Sequence, residues 1–436
     1  MDIKISINKP VRSSAIKITG SKSETNRLLL LQALYPGIKI ENISESDDSA
    51  AMQAALASKN DVVDIHHAGT AMRFLTAYFA QKEGRSVLLT GSQRMKERPI
   101  GVLVDALRSL GADIEYAENE SYPPLKINGK KLAGGSASIK ADVSSQYITA
   151  LLLIASKLEN GIELTLEGEL TSIPYIKMTL GLLDEVGIEN SFEGSVIRVK
   201  SQITNRKSQT GGESAILNLK SAITVESDWS SASYFYSIVA LSPVGTAITL
   251  SSYKQNSLQG DSALADIYKE FGVATTFLGN FITLTKLGQQ PTTINRQLND
   301  TPDIAQTIAV TCFGLGIGCH LTGLHTLKIK ETDRLEALKA ELGKFGAEVT
   351  VTKDSLTLAP HSLFLGMSEA GSPPLEGVGE APEVEVATYN DHRMAMAFAP
   401  LTTKTPFVIN NAEVVSKSFP TFWEDMQALG FEVEKM

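Results

Sequence analysis

Residues 304–350 read IAQTIAVTCFGLGIGCHLTGLHTLKIKETDRLEALKAELGKFGAEVT, and the order of patterns in this stretch recurs along the whole chain. Residues 304–315 are apolar on nearly every side, which predicts a helix buried all round. A strand follows, then a polar loop containing Lys328-Ile329-Lys330-Glu331-Thr332-Asp333-Arg334, then a second helix that ends at Gly346. Glycine is expected just past a helix end, where the chain turns through a left-handed conformation that penalises a Cβ.

The same glycine stands at Gly111, Gly187, Gly272 and Gly430, giving successive separations of 76, 85, 74 and 84 residues when Gly346 is included. The second helices share a period. Leu103, Ala106, Leu107 and Leu110 fall at i, i+3, i+4, i+7, as do Leu264, Ile267, Tyr268 and Phe271. Pro99, Pro174 and Pro420 stand at or near the first position of three of them, where a missing N–H costs nothing. Further buried helices are expected over residues 71–80, 147–155 and 394–401, with related ones starting near Asn26 and Ser231. The N-terminal unit is abbreviated, its second helix beginning at Ser46-Asp47-Asp48. Six such units predict an α/β architecture of two groups of three, with sheets outside and apolar helices inside. The seam is expected in the polar stretch 200–225, and residues 366–382, rich in Gly and Pro, read as a loop insertion.

Bulk properties bound the function. A chain of 436 residues is too long for one ordinary core. It is 43% hydrophobic and 20% charged, with mean hydropathy −0.01, the balance of a globular protein. No run of eighteen apolar residues predicts a membrane span, and Met1-Asp2-Ile3-Lys4 reads as a first strand rather than a signal segment. Cys312 and Cys319, both in an apolar stretch, fit a reducing compartment without a disulfide framework. The net charge of −9 argues against nucleic acid or an acidic membrane surface as partner. Basic residues nevertheless concentrate in Arg94-Met95-Lys96-Glu97-Arg98 and in residues 328–334. Either cluster alone reads as a solvated face, whereas together in an acidic chain they point to a small anionic ligand.

Polar motifs keep appearing at the start of a buried helix or in the loop before a second helix. In GSKSETNR (residues 20–27), Ser21 and Glu24 fit a capping box. The cap does not require Lys22 and Arg27, and a Gly-Ser turn with two cations suits a phosphate or carboxylate. Gly69 in AGTAMR permits close approach of backbone to a ligand, or simply a strand–helix turn. Ser144-Ser145-Gln146 and Ser172-Ile173-Pro174-Tyr175 read equally as helix caps or as polar ligand contacts. Thr301-Pro302-Asp303 is a cap, a proline and an acid in a first turn, and in a cationic site Asp303 becomes a general base. Glu331 and Arg334 are spaced for an i, i+3 pair on an exposed helix start. Asn390-Asp391-His392-Arg393 directly precedes an apolar helix and calls for a partner, and Lys417 occupies the same slot as Arg98. Gly314, Gly316 and Gly318 read as a helix end, and the histidines show no metal-ligand spacing.

Taken in order, GSKSETNR, AGTAMR, RMKERP, SSQ, SIPY, QGD, TPD, KETDR, NDHRMAM and SKSFP resemble the 5-enolpyruvylshikimate-3-phosphate synthase family of enolpyruvyl transferases, from residue 20 to residue 422. The resemblance implies two similar domains, each of three βαβαββ units with buried helices enclosed by sheets, an inside-out α/β barrel. It places residues 1–20 and 229–436 in one discontinuous domain and 21–228 in the other, with the active site in the cleft on which they close. The implied reaction transfers the enolpyruvyl group of phosphoenolpyruvate to the 5-hydroxyl of shikimate 3-phosphate and releases phosphate.

By the same resemblance Ser23, Arg27, Ser144, Ser145, Gln146, Ser172 and Lys330 hold shikimate 3-phosphate. Lys22, Gly69, Arg98, Arg334, Arg393 and Lys417 surround phosphoenolpyruvate, with Gln146 shared. Asp303 is the base for the hydroxyl, Glu331 the proton donor to the methylene carbon, and Lys22 assists. Both substrates carry a carboxylate and a phosphate, and one opposite charge at ~4 Å is worth about 4 kcal/mol at an effective dielectric near 20, so several cations are needed. No metal or organic cofactor is implied, and neither nucleic acid nor membrane is expected as a partner of a monomer in the cytoplasm. His67, Phe74 and Thr326 depart from the family pattern. Two alternatives are an enolpyruvyl transferase acting on UDP-N-acetylglucosamine, which typically uses a loop cysteine, and a non-catalytic anion binder, which would not need Asp303 and Glu331.

Overall fold

All thirteen residues of the helix Trp229–Leu241 and all ten of Ala305–Gly314 are buried. Neither leaves a face for solvent, so both require strands or helices on every side. The two helices pack on each other. A Cβ at Gly314 would lie 2.6 Å from Leu241 Cδ2 and 3.3 Å from Leu401 Cδ1, so any side chain there would have to displace the leucine methyls packed against it. The computed structural model describes residues 1–140, 144–168, 173–203, 222–289, 292–364 and 384–436. Ser172, the expected loop insertion at 366–382 and most of the stretch 200–225 lie outside the described residues.

The chain folds as two units, Met1–Thr19 with Glu226–Met436, and Gly20–Val225. Within the second unit one βαβαββ repeat is complete from residue 62 to residue 128. Val62–Asp64 pairs parallel with Ser86–Thr90, which pairs antiparallel with Leu125–Asn128, which in turn pairs antiparallel with Asp113–Tyr116. Gly135–Lys140, Ile162–Glu167, Val196–Val199 and Asn190–Glu193 repeat that order. Among the described residues the abbreviated repeat contributes Lys39–Glu41 beside Ala222–Thr224. Enclosed with these sheets are the helices Lys22–Leu34, Gly69–Gln81 and Ser145–Ala155.

Among its described residues the first unit has three sheets of the same order, and the N-terminal segment completes two of them. Ser14–Ile16 pairs parallel with Ala247–Ser251. Ile3–Ser6 sits between Phe407–Ile409 and Glu432–Lys435, antiparallel to both. The buried helices here are Trp229–Leu241, Ala305–Gly314 and His392–Phe398.

The repeat glycines behave as caps. Gly111, Gly187, Gly272, Gly346 and Gly430 have φ of +97, +82, +72, +87 and +100°. After four of them the next amide donates to the carbonyl five residues back: Ala112 to Leu107 at 3.0 Å, Ile188 to Leu183 at 2.8 Å, Ala347 to Leu342 and Phe431 to Met426 at 3.1 Å. That bond closes a helix on a left-handed residue. Gly272 lacks it because the expected amphipathic helix there is broken into the 3₁₀ turn Gly260–Ala263, the helix Leu264–Ile267 and the 3₁₀ turn Tyr268–Phe271.

Two expected caps do not form. Ser21 is the N-cap of Lys22–Leu34, but its buried Oγ accepts no hydrogen bond, so there is no capping box with Glu24. Thr301 makes no side-chain cap either, since the chain enters Ala305–Gly314 through the 3₁₀ turn Pro302–Ile304. Pro99 and Pro420 stand just before the N-caps Ile100 and Thr421, whereas Pro174 lies inside the first turn of Ile173–Glu185.

Candidate active site

In the first unit the site is organised by Arg334, the first residue of the helix Arg334–Lys344. Asp333 caps that helix, accepting from Leu335 N at 3.2 Å and Glu336 N at 3.3 Å. Arg334 is only 2% exposed, so the spacing that fits an exposed i, i+3 pair with Glu331 serves a buried one instead. Its Nε donates to Asp391 Oδ2 at 2.6 Å and its Nη2 to the other Asp391 oxygen at 3.3 Å. Nη1 donates to Asp303 Oδ1 and Nη2 to Glu331 Oε2, each at 2.9 Å. Burial disfavours the charge, but Asp391, Glu331 and Asp303 outweigh it and hold Arg334 protonated more firmly than a free arginine.

The carboxylates have further cations. Lys330 Nζ lies 3.5 Å from Asp303 Oδ1, Arg393 Nη2 lies 3.5 Å from Asp303 Oδ2, and Lys417 Nζ lies 3.0 Å from Glu331 Oε1. Burial pushes the Asp303 carboxyl up, yet Lys330, Arg393 and Arg334 together hold it well below the usual range. Asp391 has no exposed surface, and it also caps the helix His392–Phe398 by accepting from Arg393 N at 2.9 Å.

Arg393 links three helix starts. Its Nη1 donates to the Asp303 carbonyl at 3.2 Å and its Nη2 to Ser230 Oγ at 3.3 Å. Ser230 Oγ donates in turn to Asp261 Oδ2. Burial, with a smaller contribution from Asp303, pushes the Asp261 carboxyl up to about 7, against the pull of Arg393 and Ser230. The cluster therefore holds one carboxyl kept ionised and one that titrates near neutrality.

In the second unit Lys22 opens the helix Lys22–Leu34, and its Nζ lies 3.4 Å from Asp48 Oδ2. Asp48 stands in the first turn of Asp47–Ala57, whose cap Ser46 accepts from Ser49 N at 3.3 Å. The Arg98 guanidinium covers Gly69, where a Cβ would meet its Nη1 at 2.5 Å. Arg73, one turn into the helix, donates to the carbonyls of Gly69 and Pro99, each at 3.2 Å, and so ties the Gly69 turn to the segment carrying Arg98. Burial, then Arg98, lowers the Arg73 guanidinium to about 10.

Gln146 Nε2 donates to Thr70 Oγ1 at 3.2 Å, while Ser144 caps Ser145–Ala155 by accepting from Gln146 N at 3.3 Å, with Ser145 half-buried beside it. Arg27 is buried, and its donors go to Thr179 Oγ1 at 2.9 Å, Ser23 O at 2.7 Å, and Thr149 Oγ1 and Tyr175 O at 3.4 Å. Desolvation lowers it to about 10. Arg27 thereby joins three helices. Ser172 lies outside the described residues.

The structure thus brings Asp303, Lys330, Glu331, Arg334, Arg393 and Lys417 into one cluster. It pairs Gly69 with Arg98, Lys22 with Asp48 and Arg27 with Ser23 in the other unit. Sequence reading gave no role to Asp391, Asp261, Arg73 and Asp48. Asp391 and Arg73 stand inside NDHRMAM and AGTAMR, where a polar residue at the start of an apolar helix is the signal, and Asp261 stands in QGD before the amphipathic segment. Asp48 carries no signal beyond an ordinary acidic first turn. Among the described residues no group of three or more His, Cys, Asp or Glu is disposed to hold a metal ion.

The family model for EPSP synthase (3-phosphoshikimate 1-carboxyvinyltransferase) matches residues 49–426. A 3-phosphoshikimate 1-carboxyvinyltransferase of Bacteroides fragilis is 42% identical over 431 residues, covering 97% of this chain and 96% of the relative. One from Colwellia psychrerythraea is 36% identical over 441 residues, covering 94% and 95%. Among solved structures, EPSP synthase from Acinetobacter baumannii superposes with TM-score 0.76 at 22% identity over the whole of both chains, a likeness that shows the inside-out, two-domain α/β fold. The chain belongs to the EPSP synthase (3-phosphoshikimate 1-carboxyvinyltransferase) family.

Proposed function

We propose that this protein transfers the enolpyruvyl group of phosphoenolpyruvate to the 5-hydroxyl of shikimate 3-phosphate, releasing phosphate. The observation that carries the reading is the placement of two carboxylates, Asp303 and Glu331, on either side of one buried arginine among Lys330, Arg393 and Lys417. The hydroxyl oxygen adds to C2 of phosphoenolpyruvate while Asp303 takes its proton and Glu331, entering the cycle as the neutral acid, gives a proton to the methylene carbon. The tetrahedral intermediate then loses phosphate as Glu331 takes a methyl proton back, and the proton on Asp303 leaves with the phosphate.

A carboxylate held far below its usual pKa is a weak base. Incoming phosphate and carboxylate groups compete for Lys330, Arg334 and Arg393, which raises the proton affinity of Asp303 once both substrates are bound. Arg334, Arg393, Lys417, Lys22, Arg98 and the Gly69 backbone bind phosphoenolpyruvate in this reading, and Gln146 is shared. Ser23, Arg27, Ser144, Ser145, Ser172 and Lys330 bind shikimate 3-phosphate. The reading includes a monomer in the cytoplasm acting on these two small molecules alone. The net charge of −9 supports the absence of a nucleic-acid role, and no helix among the described residues is long and apolar enough to cross a membrane.

The test is phosphate release from phosphoenolpyruvate with either acceptor. Release is expected with shikimate 3-phosphate and not with UDP-N-acetylglucosamine, and the reverse outcome would sink the assignment. Neither cysteine supports the alternative acceptor, since Cys312 and Cys319 are both buried.

A further inference from the structure

The helix Arg334–Lys344 carries two buried charged side chains seven residues apart, Arg334 and Glu341, the latter with no exposed surface. Seven residues are nearly two turns, so the two lie on one stripe about 10 Å apart along the axis. Both reach the same short segment, residues 387–391. Arg334 holds its far end through both oxygens of Asp391. Glu341 holds its near end, Oε2 accepting from Ala387 N at 3.0 Å and Oε1 from Tyr389 Oη at 2.7 Å, with Lys344 Nζ 2.7 Å from Oε2.

Between these two grips the backbone is in a sparsely populated state. Tyr389 and Asn390 have φ of +54 and +55°, and for a bulky aromatic that conformation is uncommon. Such residues persist where the surroundings over-determine them. Asp391 N donates to Thr388 O at 2.9 Å within the turn, and Asp391 then caps the helix that carries Arg393. The proposed chemistry gives Glu341 no part, yet a fully buried carboxylate needs partners to be tolerated.

We propose that Glu341, through the Tyr389 hydroxyl and the Ala387 amide, is a positioning residue that holds the left-handed turn and so aims the Asp391 carboxylate at Arg334 and at the start of the Arg393 helix. It acts at one remove from the reacting groups. Burial and the bond to Glu341 push the Tyr389 phenol up to about 12, so it stays a hydrogen-bond donor over the working pH range. Without that donor the turn relaxes and Asp391 loses its direction.

The experiment compares Tyr389→Phe and Glu341→Gln with the unaltered full-length chain on two readouts. The first is amide hydrogen exchange, which is independent of activity. The Arg393 amide, bonded to Asp391 Oδ1, is expected to lose at least about tenfold protection in both variants, while amides in the middle of Arg334–Lys344 keep theirs. The second rests on the proposed function: KM for phosphoenolpyruvate rises about tenfold in Tyr389→Phe while kcat changes less than about threefold, the scale of one hydrogen bond to a charged acceptor. Unchanged exchange at Arg393 in both variants overturns the proposal. So does loss of protection along the whole helix, which makes Glu341 a residue of stability alone, and so does altered exchange with unaltered kinetics. Exchange that changes as expected in a chain showing no enolpyruvyl transfer leaves the positioning role standing and sinks the functional reading instead.

Discussion

Replacing Arg334 by glutamine removes the cation shared by three carboxylates, and the structure says which of them suffers. Asp303 keeps Lys330 and Arg393, and Glu331 keeps Lys417. Asp391, wholly buried, keeps the Arg393 amide at 2.9 Å and His392 Nδ1 at 3.8 Å in place of a bidentate guanidinium. Breaking a buried pair by removing one partner costs about 3–5 kcal/mol, because the other charge is left uncompensated. We expect a loss of about 4 kcal/mol from the stranded charge. The chain's two tryptophans, Trp229 and Trp423, both lie in the unit that carries Arg334, so their fluorescence in urea reports that unit. With an m-value of about 3 kcal/mol per M the midpoint falls by about 1.3 M. Adding Asp391→Asn removes the stranded charge while keeping a helix cap, and should restore about half of the loss. A midpoint shift below about 0.3 M, or a double variant no more stable than Arg334→Gln, would refute charge pairing as what holds the cluster.

Glu331→Gln should bind both substrates with KM within about threefold of the original while kcat falls about 10²- to 10⁴-fold, because an amide cannot shuttle the methylene proton. Near-normal turnover removes Glu331 from that role. Gly69→Ala sets a Cβ 2.5 Å from Arg98 Nη1, and the flexible end of that side chain gives way rather than the backbone. Steady-state kinetics should show KM for phosphoenolpyruvate up about tenfold with less than about 1 kcal/mol lost in stability, and an unchanged KM would contradict the role of Arg98. Asp261→Asn tests the raised carboxyl. The unfolded chain releases this proton near pH 3.8 and the folded chain only near 7. The associated stability is therefore fully present below about pH 4 and is lost as the pH rises to about 7, a span worth at most about 4 kcal/mol. Urea titrations should find the variant similar to the original at pH 4 and more stable at pH 8; parallel curves between pH 5 and 8 would show that Asp261 ionises normally.

Features decided within one or two helical turns were legible from residues alone. The left-handed glycines at 111, 187, 272, 346 and 430 could be read because a helix cap is a local steric problem. The buried helices could be read because burial on all sides leaves no polar stripe in the sequence. Ser21 shows where a local rule fails: its cap signal is sound, but its buried hydroxyl makes no bond to the helix it begins. The first strand, Ile3–Ser6, carries no mark of partners that lie some 400 residues away in sequence.

The sequence by itself determined the repeat, the fold class and the chemical types gathered at the helix starts: cations, two usable carboxylates, hydroxyls and an amide. Only the tertiary structure decided what those groups do to one another. It made Arg334 the common partner of Asp303, Glu331 and Asp391, spent the donors of Arg27 on three helices, and held Asp303 ionised while pushing Asp261 toward neutrality. The physical reason is that a charge acquires its strength from the neighbours desolvated with it. Those neighbours are chosen by packing between segments far apart in the chain, which no short-range pattern encodes.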